Sequence, residues 1–235
     1  VLASSTVENY LKAVFHAQSL LGDPAGLVPM GQIAAALGVV PGTATTMVKA
    51  LAESGLVRYE PYVGARLTAA GEKLAALVLR RHRLVELFLV EIMGMSWAEV
   101  HDEAERLEHA VSDRLIERMD EMLGHPDTDP HGDPIPRPDG TIHPGTQRSL
   151  LNCPLQTPVV VSRVMDQNAS FLRFVEESDL KPGQRIEVEA RDEAADSVRV
   201  RHEGDRRVTL GARAASKLLV EVVTLAVLCG WLPPG

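Results

Sequence analysis

Eight of the fifteen prolines in this 235-residue chain fall between positions 126 and 158: Pro126, Pro130, Pro134, Pro136, Pro138, Pro144, Pro154 and Pro158. Proline lacks a backbone N–H and fixes its own φ, so no regular element should run through residues 124–157. The chain is therefore expected to divide there. Residues 1 to about 123 read as helical with one short hairpin. Beyond Pro158 the pattern changes to short alternating runs, at Arg185-Ile-Glu-Val-Glu, Ser197-Val-Arg-Val-Arg, Arg207-Val-Thr-Leu and Leu218-Leu-Val-Glu-Val. Turn residues separate them, which predicts a small all-β domain, a barrel. Residues 223–235 are an apolar tail ending Pro-Pro-Gly.

The formal charge is −8, which by itself argues against a polyanionic partner. Its distribution argues otherwise. Residues 1–70 carry four acids and four bases, whereas residues 71–125 carry twelve acids and seven bases. The excess negative charge lies beside histidines, where a cation would remove part of it. No apolar run is long enough to span a bilayer, and no secretory leader is legible in Val1 to Tyr10. Cys153 and Cys229 lie far apart and propose no disulfide framework. A cytoplasmic protein is the expectation.

Gln32 to Leu37 is a short helical run ended by Gly38, and Pro41 suits the first turn of a second helix. In that second run Ala44, Met47, Val48 and Leu51 share one face. Pro41, Gly42 and Thr43 open the helix, and Gly42, Thr45, Thr46 and Lys49 lie opposite the apolar face. Small polar residues near the start of the second of two short helices describe a helix-turn-helix. Threonine can meet base edges in the major groove, and lysine suits phosphate. The next stretch, Gly55 to Thr68, reads as two extended runs around a turn. This is the hairpin of a winged helix, with Arg58, Tyr62 and Arg66 near the nucleic-acid backbone.

A helix is predicted from about Ala69 to Met93, with His82 and Glu86 one turn apart. A second helix is predicted to open at Ser96, with Glu99 at capping-box spacing. In it His101, Glu105, Glu108 and His109 recur at i, i+4, i+7 and i+8, an arc of about 100°. Val100, Ala104, Leu107 and Val111 form the adjacent apolar face, so the polar stripe borders a buried surface. Like charges at such spacings repel, and a divalent cation reverses that sign. Carboxylate and imidazole donors without a thiolate favour Mn²⁺ or Fe²⁺, with other divalent transition metals also able to bind. Two other readings exist. A metallohydrolase could use the same cluster to activate water. A metal-independent regulator could use the acidic helix only to dimerise.

With these motifs in view the chain resembles the iron- and manganese-dependent repressors of the diphtheria toxin repressor and manganese transport regulator type. The likeness runs through Glu8-Asn9-Tyr10-Leu11, the helix-turn-helix, Arg81-His82-Arg83-Leu84-Val85-Glu86, His101-Asp102-Glu103-Ala104-Glu105-Arg106-Leu107-Glu108-His109 and Gly132-Asp133-Pro134-Ile135-Pro136. It implies a winged-helix DNA-binding domain over 1–70, a helical dimerisation and metal domain over 71–123, a proline-rich linker over 124–157 and an SH3-like β domain over 158–222. It also implies a homodimer on a palindromic double-stranded operator, regulating metal-uptake genes, with no membrane partner and no organic substrate. His82, Glu86 and His101 match one metal position, and Glu105, Glu108 and His109 a second. Glu105 stands where iron-type members tend to have Cys, which tilts the resemblance toward Mn²⁺. The N-terminal ligand position is Asn9, with Glu8 beside it as the alternative. Lys12 stands where manganese-type members carry an acid. Asp166, with Gln167 next to it, matches the loop from which the β domain can lend a ligand.

Overall fold

The structure is a computed structural model, and it describes residues 4–21, 25–142 and 147–223. All of the apolar tail but Val223 lies outside the described residues. The chain divides into two compact units, each discontinuous in sequence. One takes Val1–Val85, Glu105–Asp127 and Ile135–His143; the other takes Glu86–Ala104, Thr128–Pro134 and Pro144–Gly235.

The first unit is helical. Helix α1 (Ser5–Ser19) starts at Ser4, whose hydroxyl accepts from the Val7 N–H. Its face of Tyr10, Leu11 and Val14 is buried against Ile33, Val48, Leu51, Val57 and Leu67. Helices α2 (Met30–Ala36) and α3 (Pro41–Glu53) meet at 104°, within the range of a helix-turn-helix. Gly38, at φ 63°, makes the turn between them, a backbone state that costs glycine little. Strands β1 (Val57–Glu60) and β2 (Gly64–Leu67) pair antiparallel with Arg58 opposite Arg66. Gly64 lets the wing lie flat on the Val28 carbonyl, where a Cβ would collide. The Val28 N–H donates to Ala65 O at 2.8 Å and fastens the wing to the segment before α2. The unit continues through the first part of α4 (Ala69–Glu91), the end of α5 (Val100–Leu107) and α6 (Asp113–Met122). Ser112 caps α6.

Two helix boundaries differ from the sequence expectation. Ser96 does not open a helix: its hydroxyl accepts from the Ala98 N–H in a turn, and α5 begins at Val100. The helix also stops at Leu107, so Glu108 and His109 sit on the turn that follows. Val111 closes that turn by donating to Leu107 O at 3.0 Å.

The second unit is built on a six-stranded antiparallel sheet in the order β3-β8-β4-β5-β6-β7. These strands are β3 (Arg148–Ser149), β4 (Pro158–Val164), β5 (Arg185–Asp192), β6 (Ser197–His202), β7 (Arg207–Gly211) and β8 (Leu218–Val222). Val159, Val161, Val188, Val198, Val200 and Leu210 supply its core, together with Trp97. The SH3-like fold class holds, with two additions. Helices α7 (Ala169–Glu177) and α8 (Ala212–Ala215) interrupt the strands. Leu172 and Val175 of α7 are fully buried, a helical spacing that the alternating pattern around it concealed. The proline-rich segment is not free of regular structure either, because Arg148 and Ser149 pair with Val220 and Leu219.

Candidate metal centre and nucleic-acid interface

In the helical unit α1 presents Glu8, Asn9 and Lys12, with Lys12 four residues after Glu8 and three after Asn9, the spacings that place side chains one turn apart. Glu8 is buried, at 2% exposure, and accepts from His109 Nδ1 at 2.6 Å. His109 Nε2 lies 2.9 Å from Asn9 Oδ1 and 3.1 Å from Glu108 Oε1. An imidazole nitrogen, an amide oxygen and a carboxylate oxygen converge there, a donor set that a divalent cation can use. Glu108 is fully buried and accepts from His82 Nδ1 at 2.6 Å. Burial by itself pushes the Glu108 carboxyl up, but the His82 hydrogen bond and the charges of Lys12 and His82 outweigh it and hold it below the usual range. Lys12 Nζ donates to both oxygens of Glu108, at 2.8 and 3.1 Å, and to Glu105. An ammonium thus already stands among these carboxylates. Arg81, itself buried, lies 3.6 Å from Glu8 and donates to Asp113 at 3.0 Å.

Asn9 and Glu8 thus meet opposite nitrogens of His109, Asn9 at Nε2 and Glu8 at Nδ1. A carboxylate behind a ligating histidine fixes its tautomer and raises its basicity. His82, Glu105 and Glu108 also offer ligand atoms within 4.8 Å of one another.

The sheet-bearing unit holds a separate cluster. Glu86, Asp129 and His131 are all buried, with ligand atoms mutually within 4.8 Å. His131 Nε2 donates to Trp97 O at 2.9 Å, and its ring stacks on Trp97 at 5.4 Å. Its Nδ1 has no hydrogen-bond partner and lies 3.9 Å from Glu86 Oε2. The other Glu86 oxygen accepts from His101 Nδ1 at 3.0 Å. Asp129 Oδ1 accepts the backbone N–H groups of His131 and Asp133, so the loop is wrapped around that carboxylate. Gly132, at φ 83°, lets the loop press on the Ser162 carbonyl, where a Cβ would overlap. Asp129 and His131 were missed from the sequence. Their only signal was an Asp-Pro-His-Gly-Asp run in a loop, where no periodicity marks a shared face. Asp166 is engaged elsewhere: Lys217 donates to one oxygen and the Asn168 N–H to the other. Gln167 donates to Asp133 at 3.1 Å. Cys153 is buried in this unit, and burial pushes its thiol up despite the neighbouring Arg191.

On the DNA-reading elements Pro41, Gly42, Thr43, Thr46 and Lys49 are exposed and Thr45 is half-buried. Thr45 and Thr46 hydroxyls donate back to Pro41 O and Gly42 O at 2.8 and 3.0 Å. Tyr62 at the wing tip is fully exposed. Arg58 pairs with Glu60, and Arg66 lies 3.6 Å from Glu72. Gln18 of α1 accepts the Leu67 N–H at 2.6 Å, so the helix that carries Asn9 is hydrogen-bonded to the wing.

Three family models match the chain: the iron dependent repressor N-terminal DNA binding domain over residues 3–65, the iron dependent repressor metal binding and dimerisation domain over 68–137, and the FeoA domain over 148–222. The iron-dependent repressor IdeR of Mycobacterium tuberculosis is 30% identical over 234 residues, covering 93% of this chain and 97% of its own. A manganese-dependent transcriptional repressor solved in complex with manganese is 39% identical with a TM-score of 0.83, covering 92% of this chain and all of the other. ScaR with bound Zn²⁺ is 30% identical with a TM-score of 0.74, covering 92% of this chain and 99% of that one. These relatives are repressors, and the hydrolase and metal-independent alternatives are not favoured.

Proposed function

The chain belongs to the iron-dependent repressor family of metal-dependent transcriptional repressors, and on that premise we propose that it is a Mn²⁺-responsive repressor whose sensing ion binds between α1 and the end of α5. The ligands are His109 Nε2, Asn9 Oδ1, Glu108 and Glu105, and Glu8 orients His109. The observation that carries this is the convergence of His109 Nε2 with Asn9 Oδ1 at 2.9 Å and Glu108 Oε1 at 3.1 Å, beside the second carboxylate of Glu105. The donors are oxygen and imidazole nitrogen, which suits Mn²⁺, with Fe²⁺ as runner-up. The buried thiol of Cys153 belongs to neither cluster. His82, Glu86 and His101 keep their place as a second ligand position on the family resemblance. Asp129 and His131 join Glu86 as further candidate ligands.

An ion bound to Asn9 on one side and to Glu108 and His109 on the other ties α1 to α5. The α1 helix transmits that order to the wing through Gln18 and Leu67. Contacts with DNA then run through Thr45, Thr46 and the N-terminal turn of α3 to base edges, and through Lys49, Arg58, Tyr62 and Arg66 to the backbone. Exposed Leu107, Leu115 and Met122 offer an apolar face for a homodimer. Two heads set about 34 Å apart would match a palindrome, and metal would raise affinity by fixing that spacing. Metal-uptake genes are the proposed targets. Mobility shifts on operator DNA test the reading: affinity should rise with Mn²⁺ in the native chain and not in His109→Ala. Equal affinity in chelator and in Mn²⁺ overturns it.

A further inference from the structure

Lys12 is the side chain in the α1–α5 centre that no ligand scheme accounts for. Its side chain is 11% exposed, so it is not a solvated surface lysine resting against an acid. It spends its charge on Glu108, which has no exposure, and on Glu105. Both carboxylates are within hydrogen-bond reach of one nitrogen, and two carboxylates so placed repel unless a cation lies between them. Three residues apart on α1, Lys12 meets Glu105 and Glu108 while Asn9 meets His109 Nε2, which itself lies 3.1 Å from Glu108.

We propose, as a deepening of the sensing-site reading on which it rests, that Lys12 is a tethered competitor of the metal: its ammonium closes the centre when no ion is bound, and a divalent ion must displace it. Glu108 cannot give both oxygens to Lys12 and also bind an ion facing Asn9 and His109, because that would hold positive charges within a few ångströms in a buried site. The ion therefore expels the ammonium toward solvent, which the flexible four-carbon stem of lysine permits. Two consequences follow for this chain. The metal-free centre is held together and not left as mutually repelling acids, so α1 stays on α5 before metal arrives. The ammonium also raises the metal concentration at which the centre fills.

Calorimetry with MnCl₂ on the full-length protein tests this, with the metal-free melting temperature measured in parallel. Lys12→Met should bind the first Mn²⁺ at this centre at least about tenfold more tightly. Its metal-free melting temperature should fall by several degrees, because the buried acids lose their counter-charge. Lys12→Met affinity that is unchanged or weaker, with His109→Ala losing Mn²⁺, overturns the competitor role and leaves the sensing site standing. Unchanged Mn²⁺ binding in His109→Ala overturns both. Should Lys12→Met fail to fold without metal, refolding on addition of Mn²⁺ is the expected result, and failure to refold overturns the proposal.

Discussion

The two clusters of imidazole and carboxylate differ in how their charge is balanced, although their donor chemistry is the same. The centre at α1 and α5 holds an ammonium against Glu105 and Glu108, and its histidine is 18% exposed. The Glu86, Asp129 and His131 cluster has all three members buried, and His131 directs an unpartnered Nδ1 toward Glu86. A site that carries its own counter-charge is stable empty and fills only when the outside concentration is high enough. A site with an unpartnered buried ring nitrogen beside a carboxylate has more to gain from an ion. On the function proposed above, the first arrangement suits a sensor and the second a site that stays loaded. The helical cluster also touches the wing through α1, whereas the other is built on a loop in the sheet-bearing unit.

The largest effect should come from His109→Ala, which removes the Nε2 nitrogen. It should weaken Mn²⁺-dependent operator binding at least about 100-fold while the protein still dimerises. His131→Ala should instead lower the Mn²⁺ stoichiometry by one per chain, read by metal analysis after dialysis, and leave most operator affinity in excess Mn²⁺. Equal losses of operator binding in the two variants would break the comparison. Next comes Glu8→Gln, which keeps the shape but not the charge behind His109. A loss of about 10- to 100-fold in Mn²⁺ affinity is expected, without loss of an ion at saturation.

Gly132→Ala tests the loop that seats Asp129 and His131. Its φ of 83° and its contact with Ser162 predict a cost of about 1–3 kcal/mol in thermal unfolding, with weaker retention of the second ion. The smallest effect concerns acid. Burial lowers the His202 pKa below its ordinary 6.5, against the opposing charge of Asp179 and with the help of Arg206. The unfolded chain then takes up this proton first, so His202 weakens the fold as pH falls below about 6.5 and contributes nothing above it. In His202→Gln the slope of melting temperature against pH should flatten in that window.

Much of the helical half was legible because helical spacing fixes which residues share a face before any packing is known. The His101 and Glu105 spacing, the His82 and Glu86 pair and the apolar face of α3 follow from 3.6 residues per turn, whereas Glu108 and His109 lie on the turn after α5. Strands β5 to β8 were legible for the parallel reason of alternation, β3 and β4 were not read, and α7 was missed because its apolar residues stand close together. The loop residues Asp129 and His131 have no period, so nothing local could assign them.

The sequence by itself determined the winged helix, the acidic and imidazole-rich stripe and the change of pattern after the prolines, because each is a matter of residue type at a regular spacing. Only tertiary structure decided which atom of each side chain faces which. It turned Glu8 behind His109 and Asn9 in front of it, and it set Lys12 among the acids. The physical reason is that spacing specifies a direction around a helix axis, whereas a ligand is specified by the rotamer and by the neighbour that takes the other end of the ring.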